Sequence, residues 1–209
     1  IGAAVLSGRD VLDVEGNHPP KPLTGGGGTF NYPSSARLLR DGTVSLVYQF
    51  QIRDSNIWRA GIDGELKNAV ALSHSTWQDF NPQFSFDGES VAFISRRSGF
   101  TEVWVCDKGG ANARQVTSLK RGFTDSPRWS ADGRWIAFTS PKGADRDVYI
   151  VSSTGGDARA MAASPSEEGR PSFSHDCRWL YFRSDRTGKR QLWKVRVEGG
   201  TPIQLTEGG

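Results

Sequence analysis

The sequence predicts an all-β fold built as a β-propeller, because one pattern of residues recurs along almost the whole chain. The first observation is a turn led by aspartate that returns every 44 to 46 residues, at Asp41, Asp87, Asp132 and Asp176. The second is an aromatic residue that keeps the same spacing, at Trp58, Trp104, Tyr149 and Trp193. The third is that no helical apolar period is sustained anywhere between the turns. A repeat of this length, made of short strands and tight turns, is typical of a propeller blade.

The third repeat shows how four strands fit into one blade. Its short β-branched and aromatic runs predict strands over 127–130, 135–140, 147–151 and 159–161. Asp132-Gly133 makes the first turn, with glycine supplying a positive φ. The stretch 141–146 is predicted to be a loop between the second and third strands.

The repeat also predicts how the chain is divided, as one propeller domain of several blades. Complete blades are expected over residues 25–73, 74–117, 118–162 and 163–209. Residues 1–24 match strands two to four of a blade and lack the inner strand. We therefore expect a segment of a larger propeller; a self-sufficient ring of four or five blades is the alternative. Exposed blade edges in such a segment would invite self-association.

Composition limits the classes of partner and compartment. The chain has 26 basic and 23 acidic residues, a net charge of +3, which does not indicate direct nucleic-acid binding. No apolar run is long enough to span a membrane. The two cysteines, Cys106 and Cys177, lie in different parts of the repeat, so a disulfide is not predicted. Free thiols favour a reducing compartment such as the cytoplasm, and a periplasmic location stays open.

The sequence does not predict an enzyme, a cofactor or a metal site. It contains no Gly-x-Ser-x-Gly segment, the turn that presents the nucleophile of an α/β-hydrolase. Its histidines, His18, His74 and His175, lie in separate repeats without metal-ligand spacing.

The most regular residues of the repeat are predicted to be structural. The recurring aspartates lie in turns, where the carboxylate accepts hydrogen bonds from its own backbone. The four recurring aromatic residues lie in the middle of third strands, so we expect them in the core between blades. Cys177 occupies the place that Gly88 and Gly133 fill in other repeats. Since a positive φ disfavours non-glycine residues, we expect this turn to change type, and a strained turn is the alternative.

Two surfaces are left as candidate binding sites. The first is the mouth of the central channel, where polar residues enter the innermost strands: Asp79, Asn81, Asp125, Ser126, Glu168 and Arg170. The second is a basic loop face between strands two and three and between blades: Arg97, Lys120, Arg121, Lys142, Arg146, Arg183, Arg186, Lys189 and Arg190. A basic loop face would favour an acidic protein segment or an anionic ligand, whereas solvated loop charges are the simpler interpretation.

The pattern Pro127-x-Trp129-Ser130-x-Asp132-Gly133-x-x-Ile136-Ala137-Phe138-x-Ser140 resembles the WD40-like repeat of TolB-type propellers. The ending Gly199-Gly200-Thr201-Pro202-x-Gln204-Leu205-Thr206 resembles it too, and the likeness covers roughly residues 30 to 206. The Gly-His and Trp-Asp dipeptides of WD repeats are missing, so the resemblance is to the bacterial variant.

The resemblance implies three possible roles. The same repeat occurs in TolB, in the propellers of prolyl oligopeptidase-type peptidases, and in bacterial regulators with winged-helix domains. The segments Ser55–Arg59 and Asn81–Ser85 look most like the last group. We therefore expect a non-enzymatic scaffold for protein interaction or ligand sensing, such as the sensor part of a bacterial transcriptional regulator. The alternatives are the gating propeller of a serine peptidase and a periplasmic TolB-like envelope factor.

Overall fold

The computed structural model describes residues 55–60 and 69–208 in full, and residues 28–38 and 44–52 by their backbone. All regular structure in these ranges is β-strand. The chain forms two compact units, Ile1–Asp54 and Ser55–Gly209.

The first unit contains one antiparallel pair. Strands β1 (Gly28–Leu38) and β2 (Val44–Ile52) pair along their length. Leu38 lies opposite Val44 at one end of the pair, and Gly28 lies opposite Ile52 at the other. The partial blade predicted for residues 1–24 lies outside the described residues.

The second unit is a series of antiparallel sheets whose strands follow chain order. Its first sheet pairs β3 (Trp58–Arg59) with β4 (Val70–Ala71). Three four-stranded sheets follow. In each of them, strands that are consecutive in sequence are hydrogen-bonded neighbours in the sheet. The first is β5 (Asp79–Phe84), β6 (Ser90–Ser95), β7 (Glu102–Asp107) and β8 (Arg114–Gln115). The second is β9 (Asp125–Trp129), β10 (Trp135–Lys142), β11 (Asp145–Ser152) and β12 (Arg159–Ala160). The third is β13 (Glu168–Phe173), β14 (Trp179–Ser184), β15 (Gln191–Arg196) and β16 (Ile203–Gln204).

These sheets confirm the predicted all-β architecture of four-stranded blades, with one local error. The loop predicted over 141–146 is wrong, because β10 and β11 continue pairing past the expected strand ends. Pro141 pairs with Arg146 and Lys142 with Asp145, so the turn shrinks to Gly143 and Ala144. Gly143 has a φ of 66°, which a tight turn requires.

The core lies between successive sheets. Ala92, Ile94 and Val103 of one sheet pack with Ile136 and Phe138 of the next. A second cluster of buried residues joins the sheet β9–β12 to the sheet β13–β16. It contains Ala137, Val148, Ile150, Leu180, Phe182, Trp193 and Val195. The sheets β5–β8 and β9–β12 therefore bury both faces. This explains why the sequence of a strand such as β6 is a continuous apolar run rather than an alternation of apolar and polar residues.

The recurring aromatic residues are in the core in only part of the series. Tyr149 and Trp193 are buried and Trp104 is half-buried, as predicted. Trp58 contradicts the prediction, because it is 62% exposed. Among the described residues its strand pairs with β4, over two residues.

The recurring aspartates Asp87, Asp132 and Asp176 confirm their predicted structural role, and Asp41 lies outside the described residues. In the first complete sheet the Ser85 hydroxyl donates to Asp87 Oδ1 at 2.6 Å, and the Glu89 N–H donates to the same oxygen at 3.0 Å. The Ser90 N–H in turn donates to Ser85 Oγ at 2.9 Å. The same bonds recur around Asp132 and Asp176. The carboxylate thus closes the turn between strands one and two of each of the three four-stranded sheets.

Cys177 corrects the prediction that its turn changes type. The Cys177 N–H donates to the Ser174 carbonyl at 3.0 Å, as the Gly88 and Gly133 N–H groups do to Ser85 and Ser130. Its φ is 57°, in the same left-handed region as the φ of 73° and 70° of those glycines. The turn therefore keeps its form, and the cysteine bears the strain.

Replacing Cys177 with glycine is expected to raise the free energy of unfolding by about 0.5–1 kcal/mol. The variant loses a left-handed strain of about 1–2 kcal/mol, and the greater freedom of glycine in the unfolded chain offsets part of that gain. Urea unfolding followed by tryptophan fluorescence measures the difference. A Cys177→Ala variant is the control, because it keeps the strain and removes the thiol. A Cys177→Gly variant less stable than the native chain would contradict a strained turn.

Candidate functional site

The inner strands of the three complete sheets share one distortion. Asn81, Ser126 and Arg170 occupy equivalent positions and have φ of 54°, 55° and 58°. In each strand the pairing register shifts at this point, which is the signature of a β-bulge. A proline follows each of the three, and it cannot donate to the ladder there. The bulge re-aims the strand and places its polar residues around a common space.

That space is a cavity of about 520 Å³ between the three inner strands, which we call the inner-strand cavity. Five of the predicted channel-mouth residues line it together: Asn81, Asp125, Ser126, Glu168 and Arg170. The sixth, Asp79, is buried in β5 and is not among the lining residues. The other lining residues are Pro82, Arg128, Thr139, Arg146, Glu167, Gly169 and Arg183.

The charges on the cavity wall are unequally paired. Arg146 forms an ion pair of 2.8 Å with Asp125. Glu168 forms its ion pair with Arg186, which lies outside the lining. Arg128, Arg170 and Arg183 form no ion pair with any residue that the structure describes. The wall therefore holds three guanidinium groups that no carboxylate of the described residues neutralises directly.

Four lining side chains also carry a buried polar atom with no partner in the described part of the chain. These atoms are Thr139 Oγ1, Arg146 Nε, Glu168 Oε2 and Arg183 Nε. Thr139 is 3% exposed and Glu168 only 1% exposed. A buried polar atom without a partner is costly, so a bound group that reached these donors and acceptors would be stabilised by them.

Glu168 is electrostatically unusual. Burial raises the pKa of the Glu168 carboxyl to about 7. The Arg186 guanidinium and the Ser164 hydroxyl oppose this rise in pKa, because they favour the ionised form. The charge of Asp147, buried nearby, raises the pKa further. Glu168 is therefore a carboxyl that changes charge near neutral pH.

Replacing Glu168 with glutamine is expected to make the protein more stable relative to wild type as pH rises from about 5 to about 8, by roughly 1–2 kcal/mol. The folded pKa of about 7 exceeds the ordinary 4.5, so the native state retains a proton that the unfolded state releases. Wild-type stability is thus lost as pH rises between these two values, and glutamine removes that loss. The magnitude is reduced because solvent reaches the cavity.

Urea unfolding at a series of pH values measures this difference, with Glu167→Gln as the control on the neighbouring, partly exposed carboxyl. Parallel pH profiles for wild type and the Glu168→Gln variant would contradict the prediction.

The predicted basic loop face separates into groups with different surroundings. Arg97 forms an ion pair of 2.7 Å with Asp79, and its guanidinium lies 4.8 Å from the Trp104 ring centroid. Arg186 repeats this arrangement with Glu168 and with the Trp193 ring, also at 4.8 Å. These two arginines bind within the fold, joining the start of the inner strand to the aromatic residue of the third strand.

The middle sheet builds the same region differently. Arg121 covers the Tyr149 ring at 4.5 Å, and Lys142 lies 3.6 Å from Asp147. Thr124 stands where the flanking sheets carry Asp79 and Glu168. Arg121 and Lys142 therefore also have intramolecular partners.

The remaining loop-face residues divide between the cavity and the surface. Arg146 and Arg183 line the inner-strand cavity, and the sequence had placed both on the loop face, Arg146 within a loop predicted over 141–146. Lys120, Lys189 and Arg190 are exposed. The sequence prediction also missed Arg128 and Thr139, although polar residues on an innermost strand and its neighbour were a usable signal.

The described residues contain neither a metal cluster nor a membrane-spanning helix. They include no cluster of three or more His, Cys, Asp or Glu side chains placed to hold a metal ion. Nor does that part of the chain contain an apolar helix of membrane-spanning length.

Four-stranded antiparallel sheets stacked in series, with bulged inner strands around a polar cavity, define a β-propeller domain. The family model described as TolB beta propeller domain matches residues 41–209. The chain therefore belongs to the TolB β-propeller domain family, as its repeat predicted. No curated protein sequence gives a significant match.

Solved structures with this fold include proteins of several kinds. A putative TolB from Agrobacterium tumefaciens is 22% identical with a TM-score of 0.65, covering 86% of this chain and 62% of that one. TolB from Acinetobacter baumannii is 21% identical with a TM-score of 0.61, covering 74% of this chain and 38% of that one. A puromycin hydrolase is 14% identical with a TM-score of 0.60, covering 90% of this chain and 32% of that one. The chain thus spans less than two thirds of each, and these likenesses show the fold alone.

Proposed function

We propose that this chain is a non-enzymatic binding module that takes a protein or peptide segment into the inner-strand cavity. The observation that carries the proposal is the convergence of three inner strands on one polar cavity, each through a left-handed residue at the same place. Backbone strain of this kind is stored at functional sites when the surrounding fold maintains it. Propellers commonly use such a cavity as a scaffold for binding.

The size and chemistry of the cavity support a segment of chain as the ligand. A volume of about 520 Å³ lies within the usual range for ligand pockets. The wall offers guanidinium donors, a threonine hydroxyl and carboxyl oxygens, which suit the peptide groups and polar side chains of an extended segment.

A random peptide library displayed on phage, selected on the purified chain, tests the proposal. Peptides that bind are expected to lose at least about tenfold in affinity for an Asn81→Tyr variant, whose ring occupies the cavity. The matched control is Asn112→Tyr, because Asn112 has the same φ of 54° but does not line the cavity. Both variants place tyrosine at the same left-handed φ, and Asn112→Tyr also removes the hydrogen bond from Asn112 Nδ2 to Asp107 Oδ2 at 2.7 Å, so equal folding of the two variants is checked by urea unfolding.

Two results would overturn the proposal. One is that no displayed peptide is enriched on the chain. The other is that enriched peptides bind the Asn81→Tyr and Asn112→Tyr variants equally well, which would place their site elsewhere.

Three alternative roles in a longer protein would suit a binding module of this kind. They are the sensor part of a bacterial transcriptional regulator, the gate of a serine peptidase, and a TolB-like envelope factor. The coding sequence on either side of this chain discriminates among them. An upstream winged helix supports the regulator, a downstream Gly-x-Ser-x-Gly segment supports the peptidase, and a signal peptide supports the envelope factor.

A further inference from the structure

We propose that the inner-strand cavity selects a peptide segment rich in carboxylates, which Arg128, Arg170 and Arg183 bind together. The inference rests on the proposed binding function and specifies its ligand. It concerns the cavity rather than the loop face, whose arginines Arg97 and Arg186 already have carboxylate partners within the fold.

The first step is the charge of the cavity wall. The lining holds four arginines and three carboxyl groups. Arg146 and Asp125 neutralise each other at 2.8 Å, and Glu168 is paired with Arg186. What is left facing the cavity is three guanidinium groups against the single carboxyl of Glu167. An entering anionic group meets a net positive wall.

The second step compares the repeats within this one chain. At the position of Arg170 the other complete blades carry Asn81 and Ser126. At the position of Arg183 they carry Ile94 and Thr139, and at the position of Arg128 they carry Gln83 and Ser172. Neutral residues therefore satisfy the blade at all three places. The fold does not require these arginines, in contrast to Arg97 and Arg186, which recur in equivalent structural pairs.

The third step is the cost that the chain bears to place them. Arg170 has a φ of 58° and precedes a proline, where the short side chain of asparagine is better accommodated. Arg183 holds its Nε buried with no partner in the described part of the chain. Unfavourable placements that gather at one cavity indicate a ligand that compensates them.

The fourth step separates a peptide from a bare anion. Thr139 and Glu168 are each more than nine-tenths buried, and Thr139 Oγ1 and Glu168 Oε2 have no partner among the described residues. Both oxygens can accept from a backbone N–H. Guanidinium donors beside such acceptors fit a chain that offers carboxylates and amides together.

The experiment uses fluorescein-labelled decaglutamate as the probe, and decaglutamine as its uncharged counterpart, in anisotropy titrations. The chain is expected to bind decaglutamate, to bind decaglutamine at least about tenfold more weakly, and to lose affinity from about 50 mM to about 200 mM NaCl. The variants carry the residue of a neighbouring blade: Arg128→Gln, Arg170→Asn and Arg183→Thr. Since each residue is already accommodated at that place in the repeat, the variants are expected to fold.

The double variant Arg170→Asn with Arg183→Thr is expected to lose at least about tenfold in decaglutamate affinity. The matched control is Arg190→Thr, which is compared with the single variant Arg183→Thr because each removes one positive charge by the same substitution; Arg190 is exposed and outside the cavity, so its loss should change affinity less than about twofold. Equal affinity of the double variant and the native chain would overturn the proposal. An equal loss in Arg190→Thr would do the same, because it would show general attraction to basic surface.

Two further outcomes keep this inference separate from the proposed function. If phage-selected peptides bind in an Asn81-dependent way but are neutral, the binding module stands and the carboxylate preference is wrong. If inorganic phosphate displaces decaglutamate at equal concentration of charge, the site takes small anions, and the peptide assignment is overturned.

Discussion

Replacing Arg97 with alanine is expected to lower the free energy of unfolding by about 3 kcal/mol. The Asp79 side chain is fully buried, and Arg97 Nη2 lies 2.7 Å from its Oδ2. The other carboxylate oxygen, Asp79 Oδ1, has no partner in the described residues. Removing the guanidinium leaves a buried charge unpaired, which costs far more than losing a surface ion pair.

The same guanidinium makes two further contacts that alanine removes. It lies over the Trp104 ring at 4.8 Å, and its Nε donates to Ser95 Oγ at 2.9 Å. The substitution therefore weakens the link between the start of β5 and the middle of β7. Urea unfolding followed by tryptophan fluorescence measures the loss, because Trp104 itself reports the change.

The control for Arg97 is its exposed neighbour, Arg96. An Arg96→Ala variant should change stability by less than about 0.5 kcal/mol, because surface substitutions away from special features are nearly neutral. Adding Asp79→Asn to Arg97→Ala should recover part of the loss, since the buried charge is then absent. A loss below about 1 kcal/mol for Arg97→Ala alone would contradict a structural role for this ion pair.

The second large effect is expected at Gly110, where alanine should cost about 3 kcal/mol or more. Gly110 has a φ of 87°, and a Cβ there would lie 2.7 Å from the Leu72 carbonyl oxygen and 2.8 Å from the Leu72 Cα. Both atoms belong to backbone, so neither can swing aside as a side chain would. The clash adds to the left-handed strain of about 1–2 kcal/mol.

Gly88 is the matched control for this substitution. Its φ is 73°, but a Cβ there would meet nothing within 4 Å. Gly88→Ala should therefore show the backbone strain alone, about 1–2 kcal/mol. Chemical denaturation of both variants separates the two contributions. Equal losses at the two glycines would show that the contact with Leu72 is not tight in solution.

Much of the fold could be predicted from the sequence because the repeat expresses local rules. Aspartate and serine close each first turn through bonds within a few residues, as Ser85 and Asp87 do. The strands of the complete sheets are flanked by these turns, so their positions follow. The burial of Trp58 was predicted wrongly because burial depends on what packs against a strand. The local repeat pattern does not specify those neighbours, and neither does the two-residue pairing of β3 with β4.

The candidate site was predicted only in part, for a physical reason. Residues on the inner strands converge because the architecture is repetitive, and five of the six channel-mouth residues line one cavity. Arg146 and Arg183 join them through an extended hairpin and a neighbouring strand, which depend on pairing between residues in space. Likewise, the carboxylate partners of Arg97 and Arg186 lie 18 residues away in the chain, beyond the reach of local pattern.

The left-handed bulge shared by Asn81, Ser126 and Arg170 has a consequence for how this domain can change. Its geometry is held by the strand register and the following proline, while three chemically different side chains occupy it. The backbone thus sets the shape of the bulge, and the side chains set the chemistry of the cavity wall. A selected library randomised at these three sites could acquire new ligands while the scaffold stays intact, one blade at a time.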